Sequence, residues 1–334
     1  MPTLPLFALP QKPPLVGIAR LASQGESLRE GHNVEYFTLP AKSLLNRCAS
    51  RRGVPFEWTI NPYRGCEFAC KYCYARYTHE FMEMRDGVDF ERKIYVKQHT
   101  AELLRQELRR VKQEESIAIG AATDPYQPAE RRYEVTRGIL EEFARHRGFH
   151  LGIITKSNLI LRDIDVLQAV ARQNRLSVNV TITTLDVELA RILEPRAPRP
   201  DLRLETIRKL SEAGLRVGMS GSPVLPGITD SPKDLEALVR AAAEAGAHHL
   251  FAGPLFLKPC SAAVFLPFLE KEFPHLVENY KRRYQGRAFL PDAYAKPLSQ
   301  LVERLRQKYG IGRDPRRLRT IVPRAPTEEQ LTLF

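Results

Sequence analysis

From Phe56 onward, short apolar runs alternate with amphipathic segments. The runs at 56–60, 116–121, 150–155, 177–183, 215–220 and 249–253 are five to seven residues long and apolar with little alternation, as buried parallel strands are. Between them the apolar positions fall three and four apart. Leu103, Leu104, Leu108 and Val111 mark a helix over 100–115. The same spacing predicts helices over 136–146, 162–173, 201–213 and 231–245. The last opens with Ser231 as N-cap, Pro232 at the first helical position and Asp234 at the third. Gly214 and Gly246 are suited to close two of these helices. The pattern is strand, loop, helix, repeated six times, which is too few units for a closed eight-stranded barrel. Before it, residues 1–50 are Pro-rich and then irregular, and read as an extended N-terminal arm wrapping the domain. After a core at 51–260, residues 261–310 read as a helical extension with a break at Pro291. Residues 311–334 read as a basic, Pro-punctuated, flexible tail.

Composition adds bounds. The chain has 334 residues, 43% apolar and 27% charged, as globular proteins do. No apolar run approaches the roughly 20 residues of a membrane span, so no membrane association is expected. Pro2, Pro5, Pro10, Pro13 and Pro14 do not fit a signal peptide. Five cysteines, three of them clustered, argue against a disulfide framework and for a cytoplasmic location. The 51 basic and 39 acidic residues leave a net charge of +12. Between 270 and 324, 14 Lys/Arg against 6 Asp/Glu leave +8. Lys281, Arg282, Arg283, Arg313, Arg316, Arg317 and Arg319 belong to this excess, which suits a polyanion such as nucleic acid and equally a plain solvated helix face.

The chemistry concentrates in Asn61-Pro62-Tyr63-Arg64-Gly65-Cys66-Glu67-Phe68-Ala69-Cys70-Lys71-Tyr72-Cys73-Tyr74-Ala75. Three thiolates at C-x3-C-x2-C can hold one soft metal centre and leave a fourth position without a cysteine. In a 4Fe-4S cluster, one iron is then open to a substrate or cofactor. A structural zinc site would add a second C-x2-C pair or an H-x3-5-H, and the chain has neither. His79 is the nearby candidate for a fourth ligand and reads as an ordinary loop histidine. Gly65 allows a tight turn onto the cluster.

The spacing, with Cys73-Tyr74-Ala75-Arg76 and Thr78-His79-Glu80 after it, resembles the radical S-adenosylmethionine (SAM) superfamily and its spore-photoproduct-lyase-like branch. The resemblance covers about residues 50–260. It implies an α/β fold, a partial (β/α)6 barrel with reactive groups at the C-terminal strand ends. It implies a 4Fe-4S cluster on Cys66, Cys70 and Cys73, and SAM chelating the open iron. It implies reductive cleavage of SAM to a 5′-deoxyadenosyl radical that takes a hydrogen from the substrate, fed by an external electron donor.

The strand ends carry the remaining candidates. Tyr72 packs near the SAM adenine in this resemblance. Thr123 and Asp124, in Thr123-Asp124-Pro125-Tyr126-Gln127-Pro128, contact SAM or organise its pocket. Lys156, costly to bury without an anion, partners the SAM carboxylate. Thr183 offers a hydroxyl, and the turn at Ser222 brings backbone near the adenosyl group. Spore photoproduct lyases have a hydrogen-donating cysteine where this chain has Ala122. Cys260, Cys48 and Tyr126 are the candidate replacements. Lastly, Gln330-Leu331-Thr332-Leu333-Phe334 resembles the bacterial sliding-clamp-binding peptide, with Gln330, Leu331, Leu333 and Phe334 as its docking residues. A nucleic-acid lesion or modified base leads as substrate. A protein or small-molecule substrate, and a non-enzymatic metal-containing clamp- or DNA-binding protein, stay open at this point.

Overall fold

The computed structural model describes residues 15–31, 34–48, 55–84, 86–112 and 115–312. Eleven strands are seen there: β1 Ser27–Gly31, β2 Val34–Leu39, β3 Leu45–Arg47, β4 Trp58–Ile60, β5 Tyr63–Arg64, β6 Lys93–Lys97, β7 Ser116–Ile119, β8 His150–Thr155, β9 Arg175–Thr181, β10 Val217–Ser220 and β11 His249–Phe251. The main sheet runs β11-β10-β9-β8-β7-β4-β3. Its strands from β4 to β11 are parallel to their neighbours, and β3 closes one edge antiparallel to β4. This is the six-stranded partial barrel, with the predicted strands in the predicted order.

The helices after the strands cover its outer face. Val135–Ala144, Ile164–Gln173, Pro200–Glu212 and Pro232–Glu244 bury Ile139, Leu140, Phe143, Leu167, Val170, Ile207, Leu210, Leu238 and Val239 against β7 to β10. Ser231 caps the last of them, accepting from Asp234 N at 3.1 Å. The helix predicted over 100–115 ends sooner, at Glu107, and tightens into a 3-10 turn over Leu108–Arg110.

In the described N-terminal residues, Gly17–Ser23 forms a short helix where an extended arm was expected, and strands follow it. Antiparallel β1 and β2 join β6 and β5 in a second sheet, ordered β1-β2-β6-β5. The C-terminal extension is helical at Pro259–Glu272, Val277–Tyr284 and Asp292–Lys308, and Pro291 N-caps the last. Beyond it, Gly312 bridges to His249 and covers part of the β11 edge. A second apolar cluster joins the extension to the cysteine loop. Phe265, Leu269, Tyr280 and Tyr284 pack with Cys66, Phe68, Cys70 and Tyr72. The extension is thus a wall of the candidate site. No helix among the described residues is long and apolar enough to cross a membrane.

Candidate functional site

The cysteine loop leaves the sheet after β4 and is held on two sides. Gly65 makes the turn at φ +84°. A side chain there would meet the Lys93 carbonyl oxygen at 2.7 Å, so both backbone conformation and space require glycine. On one side, buried Arg76 bonds the Cys70 carbonyl at 3.0 Å and pairs with Glu91 at 2.8 Å. On the other, fully buried Gln127 accepts from Glu67 N at 3.0 Å and donates to the Gly65 carbonyl at 3.1 Å. The Thr123 hydroxyl donates to the same carbonyl at 2.6 Å. Glu67 accepts from Ala129 N at 2.8 Å and from the Tyr36 hydroxyl at 2.9 Å. The Thr123–Gln127 motif is therefore a clamp on the loop that presents the cysteines.

Cys66 and Cys70 are buried and Cys73 is half-buried. Burial pushes all three thiols up, Cys70 to about 12, and Cys66 feels Asp124, Cys70 and Cys73 as further raising charges. Three such groups ionise together only if a cationic centre compensates them, which is the chemistry of a metal-cluster donor set. Among the described residues, no three His, Cys, Asp or Glu side chains are gathered as the ligands of a single ion. His79 binds the Lys93 carbonyl at 3.1 Å and packs against Phe90 and Tyr95. Burial lowers it to about 4, so it is neutral.

Asp124 sits at the end of β7 with both oxygens occupied. It accepts from Tyr126 N at 2.9 Å, from the Thr155 hydroxyl at 2.7 Å and from Lys156 N at 2.7 Å. It ties β7 to the tip of β8 and fixes where Lys156 emerges. The Lys156 ammonium lies 5.7 Å from the centre of the Tyr72 ring and has no carboxylate within ion-pair distance among the described residues. Burial works against its charge, and Cys70, Glu194 and Asp124 outweigh that, so its pKa is raised.

Buried Glu194 was not foreseen. It accepts from the Tyr72 and Thr183 hydroxyls, the latter at 3.1 Å, and pairs with buried Arg203 at 2.5 Å. Burial opposes its charge, and Arg203 and Lys156 hold its carboxyl below the ordinary value. A signal existed for the pair: Arg203 occupies the apolar stripe of its helix with Ile207 and Leu210. Ser222 accepts from Gly253 N at 2.8 Å and ties the tip of β10 to that of β11.

The candidate hydrogen donors separate. Tyr126 is fully buried in the main core among Tyr63, Ile119 and Ile139. The structure does not bring it to the cysteines, because the apolar ring packs under the Thr123–Gln127 turn while the polar residues of that turn face the loop. Cys260 opens the helix Pro259–Glu272 within electrostatic reach of Cys73. Cys48 follows β3 and lines a pocket of about 420 Å³ that also contains Ala122 and Tyr74. Tyr77 lies within electrostatic reach of both thiols. Gln330, Leu331, Leu333 and Phe334 lie outside the described residues.

The Radical SAM superfamily model matches residues 60–242. That is over half the chain and spans the cysteine loop and β5 to β10.

The chain belongs to the radical SAM superfamily.

Its cofactors are a 4Fe-4S cluster and SAM, and the buried thiols and the free Lys156 fit them. The uncharacterized protein Rv2578c of Mycobacterium tuberculosis is 37% identical over 302 residues, covering 90% of this chain and 88% of that one. The uncharacterized protein MJ0683 of Methanocaldococcus jannaschii is 27% identical over 234 residues, covering 69% and 78%. A structure of spore photoproduct lyase complexed with dinucleoside spore photoproduct superposes with a TM-score of 0.62 at 17% identity, covering 82% of this chain and 79% of that one. This radical SAM chain therefore has the fold of spore photoproduct lyase.

Proposed function

We propose that this radical SAM enzyme cleaves SAM reductively and acts on nucleic acid, at a lesion or modified base. The observation that carries the reading is the junction of the cysteine loop with Lys156 and Tyr72 at the strand tips. Cys66, Cys70 and Cys73 hold the cluster. Lys156 holds the ligand carboxylate, since no carboxylate among the described residues lies within ion-pair distance of it. Tyr72, fixed through its hydroxyl by Glu194, backs the pocket, and Phe265, Tyr280 and Tyr284 exclude water behind it. When bound, cluster and SAM supply the one-electron cleavage and a hydrogen-abstracting radical. Thr123, Asp124, Thr183 and Ser222 act through backbone and carboxylate contacts that set the pocket's shape.

Two features favour nucleic acid. Arg282, Arg283, Arg287 and Arg304 have no carboxylate partner among the described residues, whereas Lys271, Lys281, Lys296, Arg306 and Lys308 do. The fold is shared with a lyase whose structure holds a dinucleoside photoproduct. With alanine at 122, Cys48 or Cys260 supplies the returning hydrogen atom. The thiyl radical so left regains its hydrogen as one electron from the external donor plus one proton. None of the five cysteines is in a disulfide, which suits a cytoplasmic enzyme.

Anaerobic reconstitution tests the reading. The native chain is expected to take up iron and sulfide, absorb near 400 nm and form 5′-deoxyadenosine after reduction, faster with DNA. Cys70→Ala should do none of these. Undiminished SAM cleavage by Cys70→Ala would refute the cluster assignment, and no response to DNA would refute the substrate class.

A further inference from the structure

The pocket beside Ala122 holds an electrostatic arrangement that the cofactors do not use. Lys97 ends β6 and Arg64 ends β5, and both side chains line it. Lys97 is 6% exposed. Its ammonium has no hydrogen-bond or ion-pair partner among the described residues. The Arg64 Nε is likewise buried without a partner, and one Nη reaches the Thr78 carbonyl at 3.4 Å. The acid whose charge acts on Lys97 is Glu107, which is already engaged, accepting from Leu44 N at 2.9 Å and Leu45 N at 2.8 Å. None of the pocket-lining residues among those described is acidic.

A buried and a half-buried cation lining one pocket repel each other and have given up much of their hydration, which is costly unless an anion enters. Burial, with Arg64 adding repulsion against a weaker pull from Glu107, lowers the Lys97 ammonium to about 7. The rim is aromatic. Tyr74 and Phe81 are 40% and 61% exposed, and Tyr77 stands edge-on to Phe81 at 5.8 Å. Exposed rings above a cationic floor suit stacked bases joined by phosphate. One wall, Tyr74, directly follows Cys73, so a group bound here lies next to the cluster loop.

We propose that this pocket is a phosphodiester subsite, in which Lys97 and Arg64 receive a backbone phosphate and Tyr74, Tyr77 and Phe81 receive the adjoining bases. The inference rests on the nucleic-acid reading above and places Ala122 and Cys48 beside the bound strand.

The test uses the full chain, anaerobic and loaded with cluster and SAM. Fluorescence anisotropy compares a single-stranded octanucleotide with its uncharged methylphosphonate analogue. The phosphodiester should bind at least tenfold tighter. Lys97→Met should bring it to the level of the analogue, Lys97→Arg should restore most of the difference, and Arg64→Gln should fall in the same direction. Circular dichroism checks the fold of each variant. If Lys97→Met binds the octanucleotide as the native chain does, the subsite is overturned while the nucleic-acid reading survives. If no oligonucleotide binds, that reading and the phosphodiester occupant both fall. Inorganic phosphate then decides the anion site alone. A rise in Tm for the native chain and not for Lys97→Met supports it, and equal responses remove it. An acidic peptide that binds through Lys97 where the octanucleotide does not would also overturn the phosphodiester.

Discussion

Asp124 illustrates how a strand-tip carboxylate works when its oxygens are already filled. Three donors converge on it from two segments, and the side chain is buried. Removing it leaves Lys156 N, Tyr126 N and the Thr155 hydroxyl without that partner, each loss costing about 1 kcal/mol or more in a buried turn. Asp124→Ala is therefore expected to lose about 3 kcal/mol in urea denaturation and to weaken SAM binding, because the lysine it aims is no longer fixed. A loss below about 1 kcal/mol would mean that the turn is held by something else. The motif around Asp124 was legible because polar residues interrupt an apolar strand. The direction in which each side chain points was not. Thr123 could face a ligand or the Gly65 carbonyl with the same sequence, and only the packed loop decides. Lys97 was illegible for a related reason: a lysine at the end of a strand usually reaches solvent, and here it lines a pocket shared with residues of the distant β3 and with Tyr77 and Phe81.

At the scale of elements, the six parallel strands were legible because each is a short, nearly continuous apolar run. The second sheet was not. β1 reads Ser-Leu-Arg-Glu-Gly and β5 is two residues long, and their pairing with β2 and β6 depends on partners far away in sequence. Helix pairing has its own electrostatic signature. Arg105, on the helix Thr100–Glu107, clasps Glu142 on Val135–Ala144 through two bonds of 2.8 Å. Those bonds come first among the causes that lower the Glu142 carboxyl from 4.5 to about 2, with His146 and Arg145 beside it. A carboxylate depressed in the folded state stabilises above its ordinary pKa and loses that contribution as pH falls through the folded value. The Tm advantage of the native chain over Glu142→Gln should be full above about pH 4.5 and shrink toward pH 2. A difference that stays constant over that window would show that the pair does not link protonation to folding.

Across the whole molecule, the candidate site and the last described residues sit at opposite ends of the main sheet. The cysteine loop, Lys156 and Ser222 lie at the C-terminal strand tips. The chain beyond the last helix instead meets β11 through Gly312 at its first residue, His249, on the N-terminal side. A partner held near Gly312 would not cover the mouth of the site. If residues 330–334 dock a sliding clamp, the two functions should then separate cleanly. Deleting them should weaken clamp binding by at least tenfold in surface plasmon resonance and leave the rate of 5′-deoxyadenosine formation unchanged. Replacing Leu331 and Phe334 together by alanine should do the same, since the apolar groove of such a partner takes its affinity from those side chains. Unaltered clamp affinity in both variants would remove the docking peptide. A matching fall in SAM cleavage would mean instead that the tail packs against the barrel and works as part of the catalytic domain.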